Sequence, residues 1–308
     1  MTESRGTVRR RQWDRIVAGL AALATGALLL GLTVGDRAAI PTPTSGPTSV
    51  PRAAASPTPG APTDPAYGGF PWMTAAPASP STGTWHVPVL MYHLVATPVE
   101  AGDARHGLVV PPALFAAQLA ALRTAGWHTI TAAALAADLR DGRRPAPLTF
   151  VITLDDGHGD GYAEALPILE ASGFVATFYV ITSRIGESGY LTADELRTMA
   201  AAGMEIADHT VDHVSLTALA GPAATAELEG AALAIDELLG APPTTIAYPF
   251  GNVDATVVAD AQALDFSMAF TTVEGCRESW ASRFTTPRMR VNPSTTPADL
   301  VWQLRACR

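Results

Sequence analysis

Lysine is missing from the 308-residue sequence, so all 20 basic residues are arginine. Alanine is abundant, and the two biases together read as the imprint of a GC-rich genome more than as a functional signal. Positive charge is in deficit as well, with a formal net charge of −9. That balance argues against a nucleic-acid partner, because binding phosphate needs a basic face. Cysteine is nearly absent: Cys276 and Cys307 stand alone, both towards one end of the chain. In an oxidising compartment the two form a plausible disulfide, the alternative being two unpaired thiols, and either way their role is structural. Histidine stops early, with seven in the chain and none after His213.

What is present divides the chain into four stretches. Residues 1–15 form a basic cytoplasmic segment, with Arg5, Arg9, Arg10, Arg11 and Arg15 against Glu3 and Asp14. Residues 16–35 (IVAGLAALATGALLLGLTVG) carry no charged side chain. Such a run, at ~1.5 Å per residue, spans a ~30 Å hydrocarbon core. Arginines before it and little charge after it predict a single-pass cell-membrane protein with the bulk of the chain extracytoplasmic. An uncleaved transmembrane anchor is favoured because the run exceeds a usual signal core; a cleaved signal sequence, and hence a secreted protein, is the alternative. Residues 36–85 are rich in Pro, Ser, Thr and Ala and predict a disordered, semi-extended linker, interrupted by YGGFPWM at 67–73. Residues 86–308 are left as one globular domain.

Within that domain strands and helices alternate. Apolar runs at 87–93, 148–154, 174–181, 204–208, 245–250, 266–270 and 283–291 read as strands. Helices are expected from Pro112 to Gly126, 161–172, after the Thr192/Glu195 capping box, over 222–240, 254–264 and from Pro297 to about Ala306. This alternation means parallel βαβ units, in a barrel or an open sheet. Polar residues gather where the strands end, at His93, Asp155-Asp156, His209 and Gly251. Ligands bind at that edge in parallel α/β folds, and four strands aiming at one rim favour the barrel.

Two motifs carry chemistry together. TLDDG (153–157) sets two carboxylates side by side at a strand end, a costly arrangement unless a cation or proton compensates. HTVDH (209–213) spaces two imidazoles so that one turn brings them onto one divalent ion. Either motif alone is commonplace. Two histidines and a carboxylate on one rim form a ligand set that leaves positions open for water and substrate.

TLDDG, HTVDH and AYPFG (247–251), in this order and spacing, resemble the polysaccharide deacetylase family, the NodB-homology or family 4 carbohydrate esterases. The resemblance covers about residues 86–291. VPVLMYHLV and FVITLDDG are similar to the bacterial branch that includes poly-N-acetylglucosamine deacetylases. It implies a distorted (β/α)7 barrel, preceded here by one transmembrane helix and the linker. It further implies Asp155 as general base, Asp156, His209 and His213 as ligands of a divalent ion, usually Zn2+ (Co2+ or another transition metal fits too), and the backbone N–H of Phe250 as oxyanion donor. Gly251 then lets the backbone approach the sugar.

The sequence departs from the family pattern twice. Where the third motif often begins with an arginine that orients the base, this chain has Ala247, and Arg288 in PRMRV is the substitute expected from another strand. The late leaving-group histidine is missing, and His93 is the candidate in its place. His158 is expected to be a solvated rim residue, and Trp85, Trp127, Trp280 and Trp302 to serve core or surface packing, stacking on sugar faces being the alternative. The expected activity is N-deacetylation of an acetylated extracytoplasmic polysaccharide of poly-N-acetylglucosamine, peptidoglycan or chitin type. An O-acetyl esterase of xylan type and a catalytically impaired, metal-containing glycan-binding module are the rival readings.

Overall fold

In the computed structural model, residues 83–98, 103 and 105–307 are described. The expected span at 16–35 and nearly all of the linker lie outside them. Among the described residues, no helix is long and apolar enough to cross a membrane.

Seven parallel strands form a closed barrel: β1 (Val89–Tyr92), β2 (Thr149–Leu154), β3 (Thr177–Val180), β4 (Glu205–Asp208), β5 (Thr245–Ala247), β6 (Met268–Glu274) and β7 (Thr286–Arg290). Neighbours in sequence are neighbours in space, and β1 closes the ring by pairing with both β2 and β7. The helices are α1 (Pro112–Thr124), α2 (Ala132–Arg140), α3 (Leu166–Ser172), α4 (Ala193–Ala201), α5 (Pro222–Leu239), α6 (Ala255–Ala263) and α7 (Pro297–Ala306).

An inner core and two outer clusters, the second around Leu228, Ile246 and Tyr248, result from the period-2 alternation of strand side chains. Along β2, Phe150, Ile152 and Leu154 face the helices, where they join Phe115, Leu119, Leu169 and Phe178. Val151 faces inward with Val89, Tyr179, Ala207, Ala247, Met268 and Phe270. Both faces of β2 are covered, which is why it reads as a continuous apolar run. Ala132, Leu135, Ala136 and Leu139 of α2 belong to the same inner cluster, so α2 plugs the end of the barrel where the strands begin.

Most elements fall where the sequence places them. The capping box of α4 is present, with Thr192 and Glu195 bonded reciprocally, and α7 begins at Pro297. β5 is shorter than the apolar run 245–250, because Phe250 has φ 60° and leaves the strand region. The expected linker reached residue 85, yet Thr84 and Trp85 already pair antiparallel with Ser279 and Glu278. Cys276 and Cys307 are disulfide-bonded, which ties the end of α7 to the segment between β6 and β7.

Candidate active site

The functional side chains sit at the ends of the strands opposite α2, and the backbone there is unusually strained. Among the described residues six non-glycine ones have positive φ: Leu148, Asp156, Thr210, His213, Phe250 and Asp265. Four of these, Asp156, Thr210, His213 and Phe250, belong to the three motifs. Such conformations cost on the order of 1–3 kcal/mol each and persist where the surroundings enforce them.

Asp155 follows β2 and points inward, with 3% of its surface exposed. Its partner is Arg288 of β7, itself fully buried: Nη1 is 2.7 Å from Oδ1 and Nη2 is 2.7 Å from Oδ2. Arg288 is held in turn by the Thr271 carbonyl at 2.9 Å and the Thr153 hydroxyl at 3.0 Å. Burial works against a charged Asp155, but the guanidinium prevails and the carboxyl pKa is lowered. Each carboxylate oxygen keeps a lone pair beyond the one given to arginine, so the group can still accept a proton.

Beside it, Asp156 faces two imidazoles. Oδ1 of Asp156 lies 3.3 Å from Nε2 of His209 and 3.4 Å from Nε2 of His213. The sequence reading put both histidines on one face of a turn. The structure instead joins them through a loop with two left-handed residues, Thr210 (φ 66°) and His213 (φ 55°). Asp208 organises it: Oδ1 accepts the N–H of Thr210 at 2.8 Å, and Oγ1 of Thr210 accepts the N–H of His213 at 3.0 Å. The other Asp208 oxygen has no partner among the described residues, and burial pushes its carboxyl up to about 8.

The donor set fits a divalent ion. One ligand atom each from Asp156, His209 and His213 lies within 4.8 Å of the others. Nδ1 of His209 is 2.7 Å from the Ala247 carbonyl, which fixes the ring proton there and turns the Nε2 lone pair towards Asp156. Burial disfavours a charged His209, yet the adjacent Asp156 raises its pKa; burial and then His209 lower that of His213. Burial likewise opposes the charge of Asp156, but the hydrogen bonds from His158 and His209 drive its pKa far down. Two nitrogens and a charged oxygen converging in this way suit a cation held tetrahedrally with a position to spare.

Two positions differ from their sequence reading. His158 is not a solvated rim residue: Nε2 lies 3.5 Å from Oδ2 of Asp156, and the ring stacks on Tyr190 with centroids 5.0 Å apart. Its place one residue past TLDDG is the only sequence signal that could have found it, and nothing in the sequence marks Tyr190. Where Ala247 replaces an arginine, its carbonyl orients His209 and Arg288 makes the contact to Asp155.

Pro249, Phe250 and Gly251 form a single tight turn after β5. Gly251 bonds back to the Tyr248 carbonyl and Asn252 to that of Pro249, which leaves the N–H of Phe250 outside the turn's own bonding. A Cβ at Gly251 would strike Thr272, its backbone nitrogen at 2.5 Å. Phe250 is 59% exposed, and its ring centroid lies 4.7 Å from that of His213. His93 follows β1 directly and is half-buried; burial lowers its pKa, and the fields of Asp155 and Asp156 oppose that.

A family model described as polysaccharide deacetylase matches residues 142–269. A Streptococcus pyogenes deacetylase, solved in complex with acetate, is 30% identical with a TM-score of 0.68, over 72% of this chain and 99% of that one. The chain belongs to the polysaccharide deacetylase family. A Bacillus subtilis (strain 168) protein named as a polysaccharide deacetylase is 29% identical over 207 residues, which is 67% of this chain and 72% of the relative. A Bacillus cereus polysaccharide deacetylase is 26% identical with a TM-score of 0.64, over 72% of this chain and 69% of that one. The protein is therefore an enzyme, a hydrolase of family 4, and the expected barrel is the fold of these deacetylases. Of the tryptophans, Trp127 lies in the outer core, Trp85 and Trp280 pack against the inner cluster, and Trp302 is 70% exposed.

Proposed function

We propose that this polysaccharide deacetylase is a metal-dependent N-deacetylase of amino sugars in an extracytoplasmic polysaccharide such as poly-N-acetylglucosamine, peptidoglycan or a chitin-like chain. One observation carries the reading: a carboxylate kept ionised by a buried arginine, Asp155 with Arg288, stands next to a second carboxylate with two imidazoles. A structural ion pair has no need of the second cluster, and a bare metal site has no need of the first.

The residues divide the work by their surroundings. Asp156, His209 and His213 would hold the ion, which when bound supplies Lewis acidity to polarise an acetamide carbonyl and acidify a water. Zn2+ suits two nitrogens and an oxygen, and Co2+ tolerates the same set. Asp155 takes the proton of the attacking water, its orientation fixed by the two-pronged contact to Arg288. The N–H of Phe250 donates to the developing oxyanion, and Gly251 keeps the turn close to β6 so that this donor stays at the rim. His93 returns a proton to the leaving amine. The apolar run 16–35 and the arginines before it support anchoring in the cell membrane with the barrel outside.

Acetate release by the full chain, with and without added Zn2+, from acetylated chito-oligomers, acetylxylan and peptidoglycan tests this. Release from amide substrates that stops with chelator and returns with metal is the expected result. Release from acetylxylan alone would make the protein an O-acetyl esterase, and glycan binding without any release would make it an impaired binding module.

A further inference from the structure

The catalytic rim carries a second cation that the chemistry above does not use. Arg290 is the last residue of β7, two positions after Arg288, so both side chains lie on the same face of the strand, Arg288 inside the barrel and Arg290 at its mouth. Its Cα is paired with Met91, two residues before His93 in the neighbouring strand, and its field reaches His93. Among the described residues Arg290 has no carboxylate partner. Glu274, at the end of the adjacent β6, aims both oxygens at the backbone N–H of Arg290, 3.3 and 3.2 Å away, and forms no ion pair with the guanidinium. An arginine that is half out of water and never neutral forfeits hydration unless an anion replaces it.

The space beside it is shaped for that replacement. An open cavity of about 530 Å³ is bordered by Arg290, His106, Asn292 and Ser294, and among the described residues no acidic one lines it. The Asn292 side-chain oxygen is already taken, accepting from the Ser294 backbone at 2.9 Å and the Ser294 hydroxyl at 2.7 Å. The free end of that amide is therefore the donor, Nδ2. Of the side chains bordering this open hollow, those of Arg290, Asn292 and His106 carry N–H donors, and the guanidinium of Arg290 is the charged one. A planar, forked donor recognises a carboxylate or a phosphate through two parallel bonds.

We propose that Arg290 and this cavity form a subsite for an anionic substituent, a carboxylate or a phosphate, on a sugar next to the one that loses its acetyl group. The proposal rests on the deacetylase reading of the adjacent site and gives it a substrate class: a charged glycan is preferred over a neutral one. It also assigns Arg290 a role separate from that of Arg288. Arg288 acts on the base and Arg290 on the substrate.

Binding separates this proposal from the reading it rests on, because it needs no turnover. Three acetylated oligosaccharides of equal length, one neutral, one with lactyl carboxylates as in peptidoglycan and one with a phosphate ester, are titrated into the full chain. The Asp155→Asn background prevents hydrolysis. At least one charged oligosaccharide should bind roughly tenfold more tightly than the neutral one, the scale of one good charge-assisted pair. Whichever is favoured identifies the source of the anion. In Arg290→Gln that advantage should vanish, while Arg290→Lys, which keeps the charge but not the fork, should retain part of it. Equal affinity for all three, or an advantage that survives in Arg290→Gln, overturns the subsite. Acetate release by the unmutated chain is scored separately, so an inert enzyme that still favours charged glycans would sink the catalytic reading and spare this one.

Discussion

The two ends of the barrel each hold an inward-facing carboxylate, and they are treated in opposite ways. At the end plugged by α2, Glu205 opens β4 and accepts from the Ala133 backbone at 2.9 Å and the Thr177 and Thr245 hydroxyls at 2.8 and 2.7 Å. No cation is among those donors, and burial raises its pKa. At the rim, Asp155 faces a guanidinium and its pKa is lowered. Neutral donors satisfy the geometry of a carboxylate without securing its charge. A buried cation secures the charge, and only a charged carboxylate can take a proton from water. Under the proposed mechanism, the contrast separates a carboxylate that holds the fold from one that serves chemistry.

The contrast breaks most plainly under isosteric substitution. Asp155→Asn should lower the rate of acetate release about 10³-fold with the fold retained by circular dichroism, whereas Glu205→Gln should leave the rate within about twofold. A comparable loss from both would erase the distinction between the two ends. Arg288→Ala should reduce kcat by about 10²-fold and destabilise the chain by about 3–5 kcal/mol, since it strands a buried charge. Metal content measured on the same sample should stay near normal. His93→Gln is expected to lower kcat by about tenfold or more without loss of metal, and unaltered kinetics would remove His93 from the mechanism.

The smallest effect concerns pH. Asp155, with its lowered pKa, contributes stability that is present above the ordinary carboxylate value and is lost as pH falls through the folded one. Glu278 has the opposite sign. It is buried, one oxygen accepts the Val87 N–H at 2.8 Å, and burial pushes it from 4.5 up to about 8. Its contribution is complete below 4.5 and drains away as pH climbs to about 8. Thermal denaturation should therefore show a Tm that declines towards pH 8, and Glu278→Gln should make that decline shallower, Asp208 supplying the rest, while leaving the acid limb in place.

Much of this was legible in the sequence because it is local. Strand ends, capping residues and the TLDDG and HTVDH spacings are written within a few residues of each other. What escaped depended on partners far along the chain or on backbone conformation. The helix α2 was missed: AAALAADLR offers only Leu135 and Leu139 as large apolar residues one turn apart, too faint a period to mark a helix. The involvement of His158 depends on Asp156 turning left-handed, at φ 75°, which no propensity scale suggests for a position before glycine. The contact between Arg288 and Asp155 joins residues 133 apart, and only the family resemblance pointed to it.

The helix α2 has one more effect, on traffic. Its apolar side chains fill the lower mouth of the barrel, so the described residues leave no second door at that end. A polymer cannot thread this enzyme from end to end. The way to Asp155 and Asp156 lies through the opposite rim, and whatever enters there must also leave there.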